Sequence, residues 1–370
     1  MWYNSIIKFE RTIAMKKYSR LIAAVMCVLL LAGCAKKPVT PAGDTQGEQQ
    51  QQQATETAPK GTKNSLTGLY NLETADKAKL RPVAMSVNNQ DGTRCCQIGL
   101  AKADIVYETY VEGGITRTLA VYKDISKAGE IGSIRSARYD FVDLACSNDA
   151  IYVHAGIDPT YCQPYVKKLG LDNINMLENR YYGYGYRPEN GHIAEHTYYT
   201  TGEKVAKMLS EQGKRTTVKD DYSADWQKFN AQAKALSGGA ATSIKVTFSS
   251  QYVDNFKYDT AKKAYIKENH TANQKHSPRY PDEVLAFENV VVLFTSLGDM
   301  GNNYRVDIGL QSGSGYYFSN GTYQEIKWEK GSTYDKLKFK DADGNPLAYN
   351  PGKSWVCIVS NDMKGRFSYE

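Results

Sequence analysis

The sequence lacks the short motifs that identify several large enzyme classes. It has no Gly-x-Ser-x-Gly nucleophile elbow, no phosphate-binding loop and no dinucleotide-binding glycine fingerprint at a strand–helix junction. Each of those motifs places a nucleophile or backbone amides beside a substrate. No reaction is therefore predicted from a motif, and any site must be found from other residues.

Cysteine is scarce, and its pattern argues against a disulfide framework. An odd number remains after Cys34, at scattered positions in a chain long enough to fold on its own hydrophobic core. We interpret these residues as free thiols, although sequence alone leaves their redox state open. They are Cys95, Cys96, Cys146, Cys162 and Cys357.

The chain also lacks a concentration of positive charge outside its first residues. Its formal net charge is +6, but residues 1–33 hold five Lys or Arg and one Glu, so most of the excess lies there. The remainder shows no basic stripe and no aromatic-basic RNA-binding signature. Nucleic acid is therefore not expected as a partner.

The longest apolar run is too short for an ordinary membrane span. The run "LIAAVMCVLLLA" follows a basic stretch at 15–20 and leads into Gly33 and Cys34, an order typical of a secretory signal segment. "LAGC" at 31–34 resembles the lipobox of bacterial lipoproteins, in which the cysteine is lipidated. We predict a signal segment at 1–34 with a true start at Met15, and an anchor at Cys34 on the extracytoplasmic face of the cell membrane.

Residues 35–65 are predicted to form a flexible tether. The segment contains five consecutive glutamines together with Pro, Thr, Gly and Ala, and almost no large apolar residue. Such a composition cannot bury enough surface to offset the entropy of ordering.

The rest of the chain predicts an α+β fold in two domains. Strands and helices alternate over 66–236, which indicates a mixed α/β domain. Short aromatic and β-branched runs separated by turn residues follow over 240–370, which indicates a mostly antiparallel β domain. The small residues of "LSGGAA" at 236–241 mark the expected boundary.

Local patterns place several elements in the first domain. Runs at 103–111 and 115–123, separated by Glu112–Gly113–Gly114, predict a β-hairpin. A strand is expected at 81–89, and another at 150–156. Ser136 is expected to cap a helix that carries Arg138 in its first turn and buries Phe141 and Leu144. Helices are also expected from Asp158 or Pro159 to Lys168 and over 201–212.

Several of these segments carry a family resemblance. "ADIVYETYVEGGITRTLAVY", "IGSIRSAR", "AIYVHAG", "AEHTYYT" and "DADGNPLAYNPGKSWVCIVS" resemble the YerB-type lipoproteins, a bacterial envelope family with a domain of unknown function. The resemblance spans nearly all of 65–370 in the same two-part order. It implies a lipid-anchored extracytoplasmic protein and supplies no established reaction, so no catalytic residue can be carried over.

Two groups of residues resemble catalytic sites, but their sequence context argues against both. His192 and His196 with Glu195 form an HxxEH that would bind zinc on a helix, but the flanking "RPENG" and "TYYTT" make such a helix hard to sustain. His196 is instead expected in a loop or at a strand edge. Cys162, near His154, is expected to be buried and not nucleophilic. No metal and no cofactor are predicted.

A polar cluster at strand ends is the remaining candidate for a ligand site. Strand–helix junctions favour anions, and arginine recognises carboxylate or phosphate through two parallel hydrogen bonds. The tyrosines of 181–186 could add a stacking surface. The other interpretation, left open, is an internal Arg–Glu network that joins hairpin to helix. The cluster comprises Asn88, Asn89, Glu112, Arg117, Arg135, Ser136, Arg138, His154 and His196.

The sequence therefore predicts a non-catalytic binding or accessory protein of the cell envelope. Its expected partner is a cell-wall polymer or an envelope protein such as a component of wall synthesis. The alternative is an unrecognised envelope hydrolase or transferase that uses Glu112 or His154 beside the arginines. That alternative requires these groups to converge in one cleft.

Overall fold

The computed structural model describes residues 60–90, 97–189, 193–220, 227–268, 283–301 and 305–370. The signal segment, Cys34, nearly all of the tether, Cys95, Cys96 and His192 lie outside these residues. The tether prediction was wrong at its end, because the fold already includes residues 60–65. Asn64 is buried and donates to Asp104 Oδ1 at 2.8 Å, and Thr62 pairs with Leu72.

The helices of the described residues are short. They are α1 Ala75–Ala78, α2 Tyr139–Ser147, α3 Cys162–Leu169 and α4 Gly202–Glu211.

Strands make up most of the regular structure. In chain order they are β1 Val83–Asn88, β2 Ile105–Tyr110, β3 Thr116–Tyr122, β4 Glu130–Gly132, β5 Ile151–His154, β6 Asn173–Asn175, β7 Gly185–Tyr186, β8 Tyr199–Thr201, β9 Lys228–Phe229, β10 Ser243–Thr247, β11 Val253–Asp259, β12 Ala264–Glu268, β13 Ala286–Phe287, β14 Asn289–Thr295, β15 Leu297–Asp299, β16 Val306–Ile308, β17 Ser312–Ser319, β18 Thr322–Glu329, β19 Lys338–Lys340, β20 Ala348–Tyr349, β21 Ser354–Ser360 and β22 Ser368–Tyr369.

One mixed sheet of ten strands organises the body, in the order β19, β18, β17, β14, β21, β2, β3, β1, β5, β6. Its central strands β1, β2, β14 and β21 are buried along their whole length, as expected for strands that are covered on both faces. A second, antiparallel sheet has the order β13, β12, β11, β10, β22. These elements confirm the α+β fold class.

The two predicted domains share this ten-stranded sheet. Its first five strands come from the C-terminal region and its last five from the N-terminal region, and β21 pairs in parallel with β2 where the regions meet. One hydrophobic core contains Leu119 as well as Val291 and Ile358. The boundary at 236–241 therefore separates two regions of the sequence, and not two separate cores.

The local elements agree closely with the sequence patterns. β2 and β3 form the expected hairpin, with Glu112–Gly114 as a single turn of 3₁₀-helix between them. Thr201 caps α4 by accepting from the Lys204 amide at 3.2 Å. The expected start of α3 at Asp158 or Pro159 was wrong: the helix begins at Cys162, because Asp158 forms a turn by accepting from the amides of Tyr161 and Cys162.

The start of α2 differs from the prediction. Its N-cap is Arg138 rather than Ser136, and the Arg138 side chain makes no capping hydrogen bond. The Ser136 hydroxyl donates instead to the carbonyl of Ala155, so it joins the segment to the end of β5. Arg138 therefore precedes the first turn, where its side chain is directed to the hairpin and not along the helix.

Candidate functional site

A cleft of about 220 Å³ lies at the carboxyl ends of parallel strands. Pairing partners show that β1, β2, β5, β6, β14 and β21 all run in one direction. The cleft lies beside the ends of β1 and β2 and the start of β3. This is the edge at which ligands commonly bind in sheets with parallel strands. We call it the arginine cleft, because Arg117, Arg135 and Arg138 all line it.

Arg138 is held by Glu112 of the hairpin turn. Its Nε donates to Glu112 Oε1 at 2.5 Å and its Nη2 donates to Oε2 at 3.0 Å, which is the two-point geometry of an arginine–carboxylate pair. Arg305 Nη1 also donates to Glu112 Oε1, at 2.5 Å, and Arg305 Nε donates to Asp158. Glu112 thus joins the hairpin to α2 and to the C-terminal region.

The arginines around Glu112 lower the pKa of its carboxyl group. Burial by itself raises the pKa of the carboxyl, but the hydrogen bond and charge of Arg138, with the charge of Arg117, outweigh burial and lower the pKa below its usual value. Glu112 is therefore ionised near neutral pH.

Arg135 is buried and reaches a different acid. Its Nη2 donates to Glu195 Oε1 at 2.6 Å, and its Nη1 donates to the Glu195 carbonyl at 2.9 Å. Nη1 also lies 2.9 Å from His196 Nδ1. Because arginine can only donate, His196 Nδ1 is the acceptor of this hydrogen bond. Burial lowers the pKa of Arg135, although the charge of Glu195 opposes that shift.

Arg117 differs from its neighbours because no carboxylate of the described residues pairs with it. Within the described residues its guanidinium donates from Nη1 to the Ser136 carbonyl at 2.8 Å, and no acid lies within ion-pair distance. Burial and the charges of Arg138 and Arg135 lower the pKa of Arg117 to about 9, so it remains a cation near neutral pH. Among the described residues, the cleft therefore contains a buried positive charge that no carboxylate pairs directly, although the charge of Glu112 acts on it from a greater distance.

The two predicted asparagines have different positions. Asn88 lines the arginine cleft. Asn89 is outside the lining and donates to Glu108 Oε1 at 2.6 Å and to Thr116 Oγ1 at 2.7 Å. Asn89 is therefore part of a buried network beneath the cleft, which Trp355 joins by donating to Glu108 Oε2 at 3.2 Å.

His154 lies away from the arginine cleft. Its ring is fully buried, and Nδ1 donates to the Gly156 carbonyl at 2.7 Å. Nε2 has no hydrogen-bond partner among the described residues. Burial lowers the pKa of His154 to about 4, so it is neutral at physiological pH. The expectation that His154 would share a site with the arginines was wrong.

The zinc constellation finds no support in the local backbone. Ala194–His196 is a single turn of 3₁₀-helix, and not the α-helix that an HxxEH site needs. His192 lies outside the described residues. Over the part of the chain that the structure describes, no group of three His, Cys, Asp or Glu side chains is placed to hold a metal ion.

The remaining candidates from the sequence are buried in the fold or lie outside the lining of the arginine cleft. Cys146, Cys162 and Cys357 are free and buried, and burial raises the pKa of the Cys162 thiol to about 12. In the tyrosine-rich segment Tyr181 is fully buried whereas Tyr182 is 91% exposed. None of these tyrosines is among the described residues that line the arginine cleft.

Arg305 and Asp158 also neighbour the cluster, and no pattern in the sequence predicts either contact. Arg305 lies in the C-terminal region, and no local spacing connects it with Glu112. The long-range pairing of β21 with β2 brings the two regions together, and a pairing of that kind leaves no signal in a single sequence.

None of the helices in the described part of the chain has the length and apolar composition that a membrane span needs.

Comparisons with known proteins identify the family. Residues 66–215 match the family described as "Protein of unknown function (DUF3048) N-terminal domain", and residues 244–356 match its C-terminal domain. "Putative lipoprotein YerB" of Bacillus subtilis (strain 168) is 28% identical over 348 residues, which are 93% of this chain and 96% of that protein. The crystal structure of Bacillus subtilis YerB superposes with a TM-score of 0.68 at 26% identity, and covers 83% of this chain and 99% of its own. The chain therefore belongs to the YerB-like family of proteins that carry these two domains of unknown function.

Proposed function

We propose that this chain is a lipid-anchored binding protein of the cell envelope, and that its arginine cleft takes an anionic group of a cell-wall polymer. The observation that carries the proposal is Arg117, a buried cation beside two other arginines for which the described residues provide no carboxylate at ion-pair distance. Carboxylate and phosphate are the groups that arginine recognises best.

The size of the cleft favours a terminal group over a whole small molecule. Pockets that enclose a drug-sized ligand measure about 300–1,000 Å³, whereas the arginine cleft measures about 220 Å³. A phosphate or carboxylate at the end or side of a polymer fits that volume, while the rest of the polymer would lie outside.

The proposed location at the cell membrane rests on two observations. "LAGC" at 31–34 has the lipobox pattern, and the Bacillus subtilis relative carries the word lipoprotein in its name. Cys34 would then carry the lipid on the extracytoplasmic face of the membrane. Radiolabelled palmitate tests this directly, since label should enter the wild-type chain and not the Cys34→Ser variant.

The alternative of an envelope hydrolase or transferase has less support. It needs Glu112 or His154 to act beside the arginines, but Glu112 is engaged by Arg138 and Arg305, and His154 is outside the cleft.

Retention on purified envelope fractions tests the binding proposal. Wild-type chain should be retained on purified cell wall, and the Arg117→Gln variant should be retained several-fold less. Arg366, an exposed arginine outside the cleft, provides the matched control: Arg366→Gln should behave as wild type. Retention on the membrane fraction alone would indicate a membrane protein as the partner, and retention on neither fraction would contradict the proposal.

A further inference from the structure

The two carboxylates of the arginine cleft differ in how easily a ligand could displace them. The Glu112 side chain is 9% exposed and accepts three hydrogen bonds from two arginines. The Glu195 side chain is 64% exposed and, among the described residues, makes one ion pair, with Arg135. Exposed ion pairs contribute little to stability, whereas a buried multi-point pair is costly to break. Glu195 is therefore the removable acid of the cleft.

Arg135 would stay in place without the Glu195 carboxylate. Its Nη1 contacts the Glu195 backbone carbonyl and His196 Nδ1, each at 2.9 Å, and neither contact involves the carboxylate. Loss of the carboxylate would therefore free Nη2 while the guanidinium kept its position. A binding site with its donor already placed loses little entropy when a ligand arrives.

The charges of the cleft favour a ligand anion that replaces the Glu195 carboxylate over one that binds beside it. An anion that approaches Arg117 while Glu195 remains bound to Arg135 meets a like charge on the lining of the same cleft. An anion that replaces the Glu195 carboxylate keeps the charge balance and gains Arg117, which pairs with no acid of the described chain. A carboxylate or a phosphate offers oxygens similar to those that it would replace.

We propose that Glu195 is an internal competitor: its carboxylate occupies the place at Arg135 that the ligand's carboxylate or phosphate takes. The inference rests on the proposed function, and it adds the pose of the ligand between Arg117 and Arg135 and the group that limits its affinity. The bound ligand releases Glu195 into solvent, and Glu112 remains paired throughout.

Glu195→Gln tests the proposal because it removes the charge and keeps the shape. Glu178→Gln is the matched control, since Glu178 also forms an exposed pair with an arginine, Arg180, at 2.8 Å, and lies outside the cleft lining. The probes are inorganic phosphate and N-acetylglycine, with uncharged N-acetylglycinamide as the blank. Dissociation constants would be measured by NMR titration of the purified full-length chain at low ionic strength.

We expect Glu195→Gln to bind phosphate, N-acetylglycine or both about three- to tenfold more tightly than wild type, and Glu178→Gln to match wild type. A larger gain for phosphate identifies a phosphate-bearing ligand, and a larger gain for N-acetylglycine identifies a carboxylate. Equal gains in both variants would show a general charge effect and would overturn the inference.

The failure of this inference can be told apart from the failure of the proposed function. If wild type binds a probe and Arg117→Gln does not, but Glu195→Gln binds no better than wild type, the cleft is an anion site without an internal competitor. If neither wild type nor Glu195→Gln binds either probe while both remain folded, the proposed function itself is wrong.

Discussion

Arg138 and Glu112 form a two-point ion pair across the hairpin–helix junction, with Nε to Oε1 at 2.5 Å and Nη2 to Oε2 at 3.0 Å. Arg138 precedes α2, where a cation is unfavourable beside the positive end of the helix dipole unless an anion answers it. Glu112 is that anion. Of the two interpretations of the arginines, Arg138 therefore fits the structural one. Arg117, which has no such partner in the described part of the chain, fits the binding one.

Loss of the Glu112 charge should destabilise the fold. Glu112→Gln leaves Arg138 and Arg305 without their shared counter-charge, and we expect the free energy of unfolding to fall by about 2 kcal/mol in urea titrations. The effect is smaller than for a fully buried pair because the two arginine side chains are 19% and 20% exposed. Glu73→Gln, which breaks an exposed pair with Lys127, should leave the urea midpoint unchanged.

The contribution of Glu112 should disappear in acid. Its folded pKa is lower than its unfolded pKa, so it stabilises the fold above the unfolded value of about 4.3, and the stabilisation is lost as pH falls through the folded pKa. The difference in unfolding free energy between wild type and Glu112→Gln should therefore be constant from pH 7 to 5 and shrink below about pH 4. A difference that did not change with pH would show that Glu112 does not act through its charge.

His154 should make the fold sensitive to mild acid. Its pKa is lowered by burial to about 4, so below pH 6.5 the unfolded chain binds a proton that the folded chain does not, and stability is lost as pH falls from 6.5 to 4. The full loss is roughly 3 kcal/mol by the usual conversion of a pKa difference.

The His154→Asn variant isolates this effect. Its amide can donate to the Gly156 carbonyl as Nδ1 does, but it does not titrate. Subtracting the variant's curve from that of wild type removes the opposite contribution of Asp104, whose pKa burial raises to about 6. A flat difference between pH 6.5 and 4 would contradict the buried, neutral state of His154.

Arg117 should contribute little to the stability of the ligand-free chain. Arg117→Gln loses a hydrogen bond to the Ser136 carbonyl, which is worth about 1 kcal/mol, but it also removes a desolvated cation repelled by Arg135 and Arg138. We expect the unfolding free energy at pH 7 to change by less than about 1 kcal/mol, whereas Arg138→Gln should lower it by about 2 kcal/mol. Equal losses in the two variants would make Arg117 a structural residue like Arg138.

Local patterns in the sequence predict many of the individual strands and helices. The hairpin of β2 and β3 follows from residue spacing and turn chemistry, which act over a few positions, and the helix expected over 201–212 matches α4 to within one residue at each end. The shared sheet could not be predicted in this way, because the pairing of β21 with β2 depends on the packing of the whole chain. The contact of Arg305 with Glu112 depends on the same long-range pairing, so it could not be predicted from local patterns either.

The sequence predicts which residues belong to the candidate site better than it predicts how they are arranged. The sequence predicts an Arg–Glu network that joins hairpin to helix as one interpretation of the cluster, and the pair of Glu112 with Arg138 is such a contact. His154 was grouped with the arginines because it also ends a strand, but its ring is buried in the core and donates to the Gly156 carbonyl. Strand alternation fixes the face of a side chain only when the register and the covering layer are known.

The most direct test of the central claim is the dissociation constant of inorganic phosphate for three purified chains, measured by NMR titration at low ionic strength. We expect saturable binding to wild type, at least about tenfold weaker binding to Arg117→Gln, and unchanged binding to the surface control Arg366→Gln. Equal binding to wild type and Arg117→Gln, or no saturable binding to wild type, would contradict an anion site at Arg117.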